Sequence, residues 1–403
     1  MTASNSAPVK SISIKTGEVP KVTLTLLTGS QADGGRAAGV FTADDLITIL
    51  HYVRTARQLP QDLDAFKKDL GSDSTGIPGI EPSDIIELYK KVTDHANRWT
   101  PVENLVKEQS SDLTIASVDI VSIGSKIIEV INKMDISEQM DTLTATTAEI
   151  PITSLKDKKV QTKLPEIIKK LKQTCEDQQK KLLKVLTAVR DYKTEISGGL
   201  LSNKEQVTGL EPAVADKKER AKNANLGDKI TKLQNEIDAL QLQIDQLKKD
   251  YDKYVGLAFT GAAGGLIGLA ITGGIFGAMA EAARKQRNEL INEKRDKNVE
   301  FKRDQKVQRI LNQFSTQFTD IGMRLLDAEQ ALVHLDFLWT DIVKRIDQSV
   351  DKWMQVKDGH TLMTFVTDLQ SIVDPWKEVG DMSTKLVKVF DQAYEEFRKT
   401  YEA

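Results

Sequence analysis

VGLAFTGAAGGLIGLAITGGIFGAMA, residues 255–280, carries no charged side chain. Asp250, Asp252 and Lys253 precede it, and Glu281, Arg284, Lys285 and Arg287 restore charge directly after it. The run exceeds the roughly 18 residues at which a membrane segment becomes the default reading. Its composition argues against an ordinary rigid span. Gly256, Gly261, Gly264, Gly265, Gly268, Gly273, Gly274 and Gly277 fall within it, and each glycine inside a helix costs about 0.5–1 kcal/mol relative to alanine.

Heptads flank the run on both sides. Upstream, Leu226, Ile230, Leu233, Ile237, Leu240, Ile244, Leu247, Tyr251 and Tyr254 recur at alternating spacings of four and three, the a/d seam of a coiled coil. Downstream, Val307, Leu311, Phe314, Phe318, Ile321, Leu325, Ala328, Leu332, Leu335, Trp339, Ile342 and Ile346 repeat the alternation. If the two arms pair antiparallel, the insert turns back at their tip, and Gly264-Gly265 or Gly273-Gly274 can supply the turn. Each half of that hairpin is about 12 residues, roughly 18 Å of helix, against a hydrocarbon core near 30 Å. It is too short to cross, so the expectation is a wedge into one leaflet.

The 403 residues are 40% hydrophobic and 29% charged, enough for a packed core of one to three domains. Lys and Arg total 56 against 59 Asp and Glu, a net charge of -3 that gives no electrostatic reason to bind nucleic acid. Ten prolines and 5% aromatics favour long helices over sheet. Cys175 has no disulfide partner and no nearby histidine to activate it, so it reads as a buried helical residue. The first residues lack a basic region followed by an apolar one, so no cleaved secretory leader is expected.

In chain order, 1–40 reads as an extended or mobile segment, and 41–212, completed by 315–403, as a helical bundle. Residues 213–254 and 281–314 read as a coiled-coil neck, and 255–280 as an apolar tip. Thr42 with Asp45 marks a helix start. Gly71, Gly76, Pro78, Gly79 and Pro82 break the chain before a helix that resumes at Ser83. Pro101 fits either a first turn or a kink. The 113–140 segment, with Ile120, Ile123, Ile127, Val130 and Met134 near heptad spacing, reads as a buried bundle helix, since Lys126, Glu129 and Lys133 interrupt any span. Another amphipathic helix runs from Leu164 to about Ile196. From Glu281 to about Val356 there is no proline, which gives a single helix of about 110 Å, its distal part packed on the helices between 42 and 196. Gly359, Pro375 and Gly380 divide the C-terminal region, and Ser383 to Tyr401 closes the chain as a helix.

No constellation for catalysis is visible. His51, His95, His334 and His360 are scattered, no HExxH or CxxC spacing occurs, and GAAGGLIG matches neither dinucleotide nor P-loop fingerprints. No cofactor, metal or enzymatic activity is expected.

A helical bundle, two antiparallel coiled-coil arms and a Gly-rich apolar element at their tip resemble the α-helical pore-forming toxins of the cytolysin A (ClyA) superfamily, most closely the A component of binary Xax/Yax-type cytotoxins. No alternating β-branched strand pair accompanies the tip, which favours the binary subclass over a self-sufficient pore. The resemblance implies an all-α protein secreted without a cleavable signal. It also implies a soluble monomer that binds the target-cell lipid membrane through its tip and joins a second component, the B subunit, in a ring-shaped hetero-oligomer. The side chains expected in lipid are Leu257, Phe259, Leu266, Ile267, Leu269, Ile271, Ile275, Phe276 and Met279. Lys253, Arg284, Lys285 and Arg287 lie nearest the membrane plane and are the expected contacts to anionic headgroups. An exposed tip of this kind is an aggregation liability in water, so the soluble form is expected to fold it back or pack it on itself. Two other classes stay open: a protein that spans a membrane once through 255–280, and an intracellular coiled-coil scaffold with a buried dimerisation hairpin.

Overall fold

Several helix starts in this chain are set by side chains at or just before the first turn. The computed structural model describes residues 40–70, 73–75, 77–142, 150–223, 228–260, 279–294 and 306–401. Thr42 caps α1 (Ala43–Arg57): its hydroxyl accepts from the Asp45 amide at 3.1 Å, and the Asp45 carboxylate accepts from the Thr42 amide at 2.8 Å. This is the reciprocal box that the Thr42/Asp45 spacing predicts. α2 spans Leu63–Leu70, and α3 (Pro82–Asn97) starts at the proline itself, whose missing N–H is harmless in a first turn. Pro101 likewise sits in the first turn of α4 (Trp99–Asn132) and starts a helix instead of kinking one.

α5 (Asp135–Thr142) and α6 (Leu155–Ser197) share one carboxylate. Asp157, in the first turn of α6, accepts from the amides of Asp135 at 2.8 Å and Ile136 at 3.1 Å, while its own amide donates to Ser154 Oγ. The helix expected from Leu164 therefore begins earlier, at a Ser154 cap, and accommodates Pro165. Gly198, at φ +80°, ends it, and a short antiparallel pair, β1 (Gly199–Leu200) and β2 (Gln206–Val207), leads to α7 (Leu210–Asn223). α8 (Asp228–Thr260), α9 (residues 279–294), α10 (Lys306–Met354), α11 (Gly359–Val373) and α12 (Pro375–Tyr401) complete the described chain. Gly359 and Pro375 open helices as punctuation predicts, but Gly380 lies inside α12, where a Cβ would stand 2.8 Å from Ser117 Oγ.

The fold is an all-α bundle of long helices, and side-chain pairs fix its directions. Lys172–Asp347, Gln179–Asp336 and Arg190–Glu329 join α6 to α10 in opposite senses, so the two are antiparallel. Asp112–Lys181 and Arg98–Glu195 set α4 against α6 in the same manner, and Glu103–Tyr394 and Thr114–Ser383 set α4 against α12. α10, with 49 residues, measures about 74 Å. Its seam from Leu311 through Phe318, Leu325, Leu332, Trp339 and Ile346 is buried as the heptads predict, in one core with Leu164, Leu171, Leu182, Val189 and Ile196 of α6. Trp339 and Trp353 are core residues, and Cys175 is a buried thiol of α6.

The single helix expected from Glu281 to Val356 is corrected. Arg287 of α9 bonds Asp327 of α10 at 2.5 Å, whereas one straight helix would hold those residues about 60 Å apart. α9 and α10 are separate helices lying side by side, and an absence of proline did not reveal the break.

Candidate membrane-engaging hairpin

The seam residues Ile237, Leu240, Ile244 and Tyr251 of α8 are buried, as their heptad spacing requires. Their partners come from α9. Lys294 Nζ donates to Gln241 Oε1 at 2.7 Å, Ile291 packs on Ile244, and Ala280 and Ala283 pack on Tyr251. One number rises as the other falls, so α8 and α9 form an antiparallel hairpin with the uncharged run between them. Small side chains at 280 and 283 let the two helices close around the Tyr251 ring.

Leu257 and Phe259 belong to the end of α8, and Met279 opens α9 as an exposed residue. Leu266, Ile267, Leu269, Ile271, Ile275 and Phe276 lie outside the described residues. No helix among the described residues is long and apolar enough to cross a membrane.

The four basic residues expected at headgroups divide into two pairs. Lys253 and Lys285 are exposed. Arg284 and Arg287 are instead turned inward. Arg284 makes a bidentate pair with Glu281, at 2.6 Å through both Nε and Nη2. Arg287 is 0% exposed, as is its partner Asp327, and its guanidinium lies 5.4 Å from the centroid of the Tyr251 ring. In this conformation Arg284 and Arg287 are not available to lipid.

The groups that receive the hairpin were not singled out by periodicity. Met323 packs with Ile244 and Ile291, one turn before Asp327. Around them α10 carries a belt of buried charge. Arg324 pairs with Asp320 at 2.9 Å, Asp45 at 3.0 Å and Asp44 at 2.6 Å, which ties α10 to the start of α1. Glu329 pairs with Arg190 and Lys193 of α6. The signal was present as Asp320, Arg324, Asp327 and Glu329 interleaved with the apolar seam, a pattern that also fits a solvated coiled-coil face. Lys294 is buried on the hairpin, and desolvation pushes its ammonium down to about 8.

The arrangement is two antiparallel helices, joined in sequence by the uncharged run, that pack on α10 through Met323 and Asp327. A scan against protein-family models finds no match, and a search of the curated proteins finds none. Among solved structures, YaxA from Yersinia enterocolitica is 39% identical over 90% of this chain and 100% of its own, with a TM-score of 0.52. A chain of the YaxAB pore complex is 40% identical over 90% of this chain and 100% of its own, with a TM-score of 0.50. A chain of the XaxAB pore complex from Xenorhabdus nematophila is 39% identical over 89% of this chain and 100% of its own, with a TM-score of 0.48. Identity at this level across the whole length of the relatives places the chain in the ClyA-like α-helical pore-forming toxins, in the family of YaxA.

Proposed function

We propose that this toxin subunit binds a target-cell membrane with residues 255–280 and assembles there with a second, related component into a ring-shaped lytic pore. The observation that carries the reading is the contact of Tyr251 with Ala280 and Ala283. It brings the two ends of the uncharged run together, so the most apolar stretch of the chain begins and ends at one end of the hairpin. Moving its large side chains from water into lipid gains roughly 1.5–3 kcal/mol for each one fully buried. Gly261, Gly265, Gly268 and Ala270 let neighbouring helices approach closely in lipid.

A second component follows from length as well as kinship, because half of the loop falls short of the hydrocarbon core. The similar chains include members of the YaxAB and XaxAB pore complexes, whose names join an A with a B component. Under this proposal the exposed Lys253 and Lys285 meet headgroups directly, and Arg284 and Arg287 do so once the hairpin leaves α10. In this reading the protein is secreted, soluble until it meets its target, and needs no nucleic acid or cofactor.

The test is a double substitution, Ile267→Asp with Ile271→Asp. It should abolish liposome binding and dye release with the second component while leaving helical content unchanged. Binding at the wild-type level by the folded variant would remove the tip from the mechanism.

A further inference from the structure

We propose that the Arg287–Asp327 ion pair is a latch that holds the α8–α9 hairpin on α10 in the soluble chain and breaks before the apolar loop can reach lipid. The inference rests on the membrane-binding reading for its purpose, but its geometry stands alone. Three features single out this contact.

The first is its separateness. Tyr251, Ala280 and Ala283 form one small apolar cluster and Ile244, Ile291 and Met323 another, and neither is continuous with the main core of α4, α6, α10 and α12. Undocking the hairpin therefore leaves the bundle seam closed. From α10, Met323 packs into the second of these clusters, and the Arg287–Asp327 pair ties α9 to α10 one turn further on.

The second is incomplete satisfaction. Both partners are fully buried, yet Arg287 Nε and Nη1 and Asp327 Oδ1 have no hydrogen-bond partner among the described residues. A buried ion pair recovers its desolvation cost only when the remaining donors and acceptors are also met. Docking through this pair is weaker than docking through apolar side chains of the same volume. Water or another anion satisfies Arg287 better than the bundle does.

The third is the position of the cation. Arg287 lies two turns from the start of α9, between the apolar loop and the bundle. A guanidinium prefers the forked geometry of a phosphate or carboxylate, so an anionic lipid headgroup can take the place of Asp327. The charge that holds the hairpin closed in solution then serves as its membrane contact. Breaking the pair exposes Asp327 to water, which removes the cost of leaving it buried and unpaired.

Two spin labels report the state without any membrane, at Lys285→Cys on α9 and Lys344→Cys on α10, both exposed positions. The wild-type background should give a single short distance. Asp327→Ala, which strands Arg287 in the core, should add a long-distance population. Arg287→Met with Asp327→Leu should restore the short distance and slow dye release from anionic vesicles by roughly tenfold or more, with an unchanged melting curve. A distance distribution in Asp327→Ala identical to wild type would overturn the latch, and so would wild-type dye release from the apolar pair. If wild-type protein releases no dye at all, the membrane reading fails while the distance result still judges the latch.

Discussion

Gly124 lies where α4 meets α11, and a Cβ built on it would stand 2.4 Å from Val373 Cγ2 and 2.7 Å from Cγ1. Both Val373 and the glycine are buried, so a methyl group has no space to occupy. Gly124→Ala should therefore lower stability by about 1–3 kcal/mol through overpacking, despite alanine's better helix propensity. Chemical denaturation checks the sign; a stabilised variant would contradict the close approach. His95 gives a second residue-scale prediction. Its ring is buried between Tyr52 and Tyr192, with Nδ1 2.7 Å from the Tyr52 hydroxyl and Nε2 3.0 Å from the Tyr192 carbonyl. The carbonyl only accepts, so Nε2 carries the proton and Nδ1 accepts from Tyr52. Burial pushes the imidazole down to about 3, with Arg98 acting in the same direction. Between the ordinary value of about 6.5 and 3, the unfolded chain binds a proton that the folded chain does not. Stability is lost as pH falls through that window, by up to about 1.4 kcal/mol per pH unit from this residue. His95→Gln keeps a donor and an acceptor without titrating, so its loss of stability between pH 7 and pH 5 should be smaller than wild type's; an equal loss would show that another group titrates.

Among the elements, α5 and α6 depend on one side chain. Asp157→Ala removes the acceptor for the amides of Asp135 and Ile136 at the start of α5. Each amide left unmet in a buried setting costs about 1–3 kcal/mol. Hydrogen exchange at those two amides should accelerate well before the bundle as a whole is affected, and unchanged protection there would refute the shared cap. Elements were legible in the sequence wherever local chemistry decides them. Thr42 with Asp45, Pro82 and Pro101 each announced a start, and the seam from Leu311 to Ile346 announced a buried face. Tertiary choices were not legible. A heptad face records that a helix is covered, not by what, and the α10 seam is covered by α6 instead of by the upstream arm. Arg284 and Arg287 read as headgroup contacts together with Lys253 and Lys285, because a buried cation and an exposed one have the same sequence. For Arg287 the distinguishing partner is Asp327, forty residues on. The uncharged run itself was legible in full as composition.

At the scale of the molecule, a helical bundle carries a hairpin whose two helices are joined in sequence by the uncharged run and contact α10 through Met323 and the buried Arg287–Asp327 pair. In the proposed mechanism the bundle supplies stability, and the hairpin supplies motion. Cys175 makes this division measurable. Burial pushes its thiol up to about 12, so it should stay unreactive to maleimide in the native protein, and an introduced cysteine can be labelled alone. Labelling of Cys175 at the rate of a free thiol would mean that α6 opens readily. The most direct test of the account attaches an environment-sensitive fluorophore at Ile267→Cys and, in a separate preparation, at Lys344→Cys, then adds vesicles whose acyl chains carry a quencher. The account predicts quenching at position 267 and none at 344. Quenching at 344, or at neither position while dye is released, would contradict it.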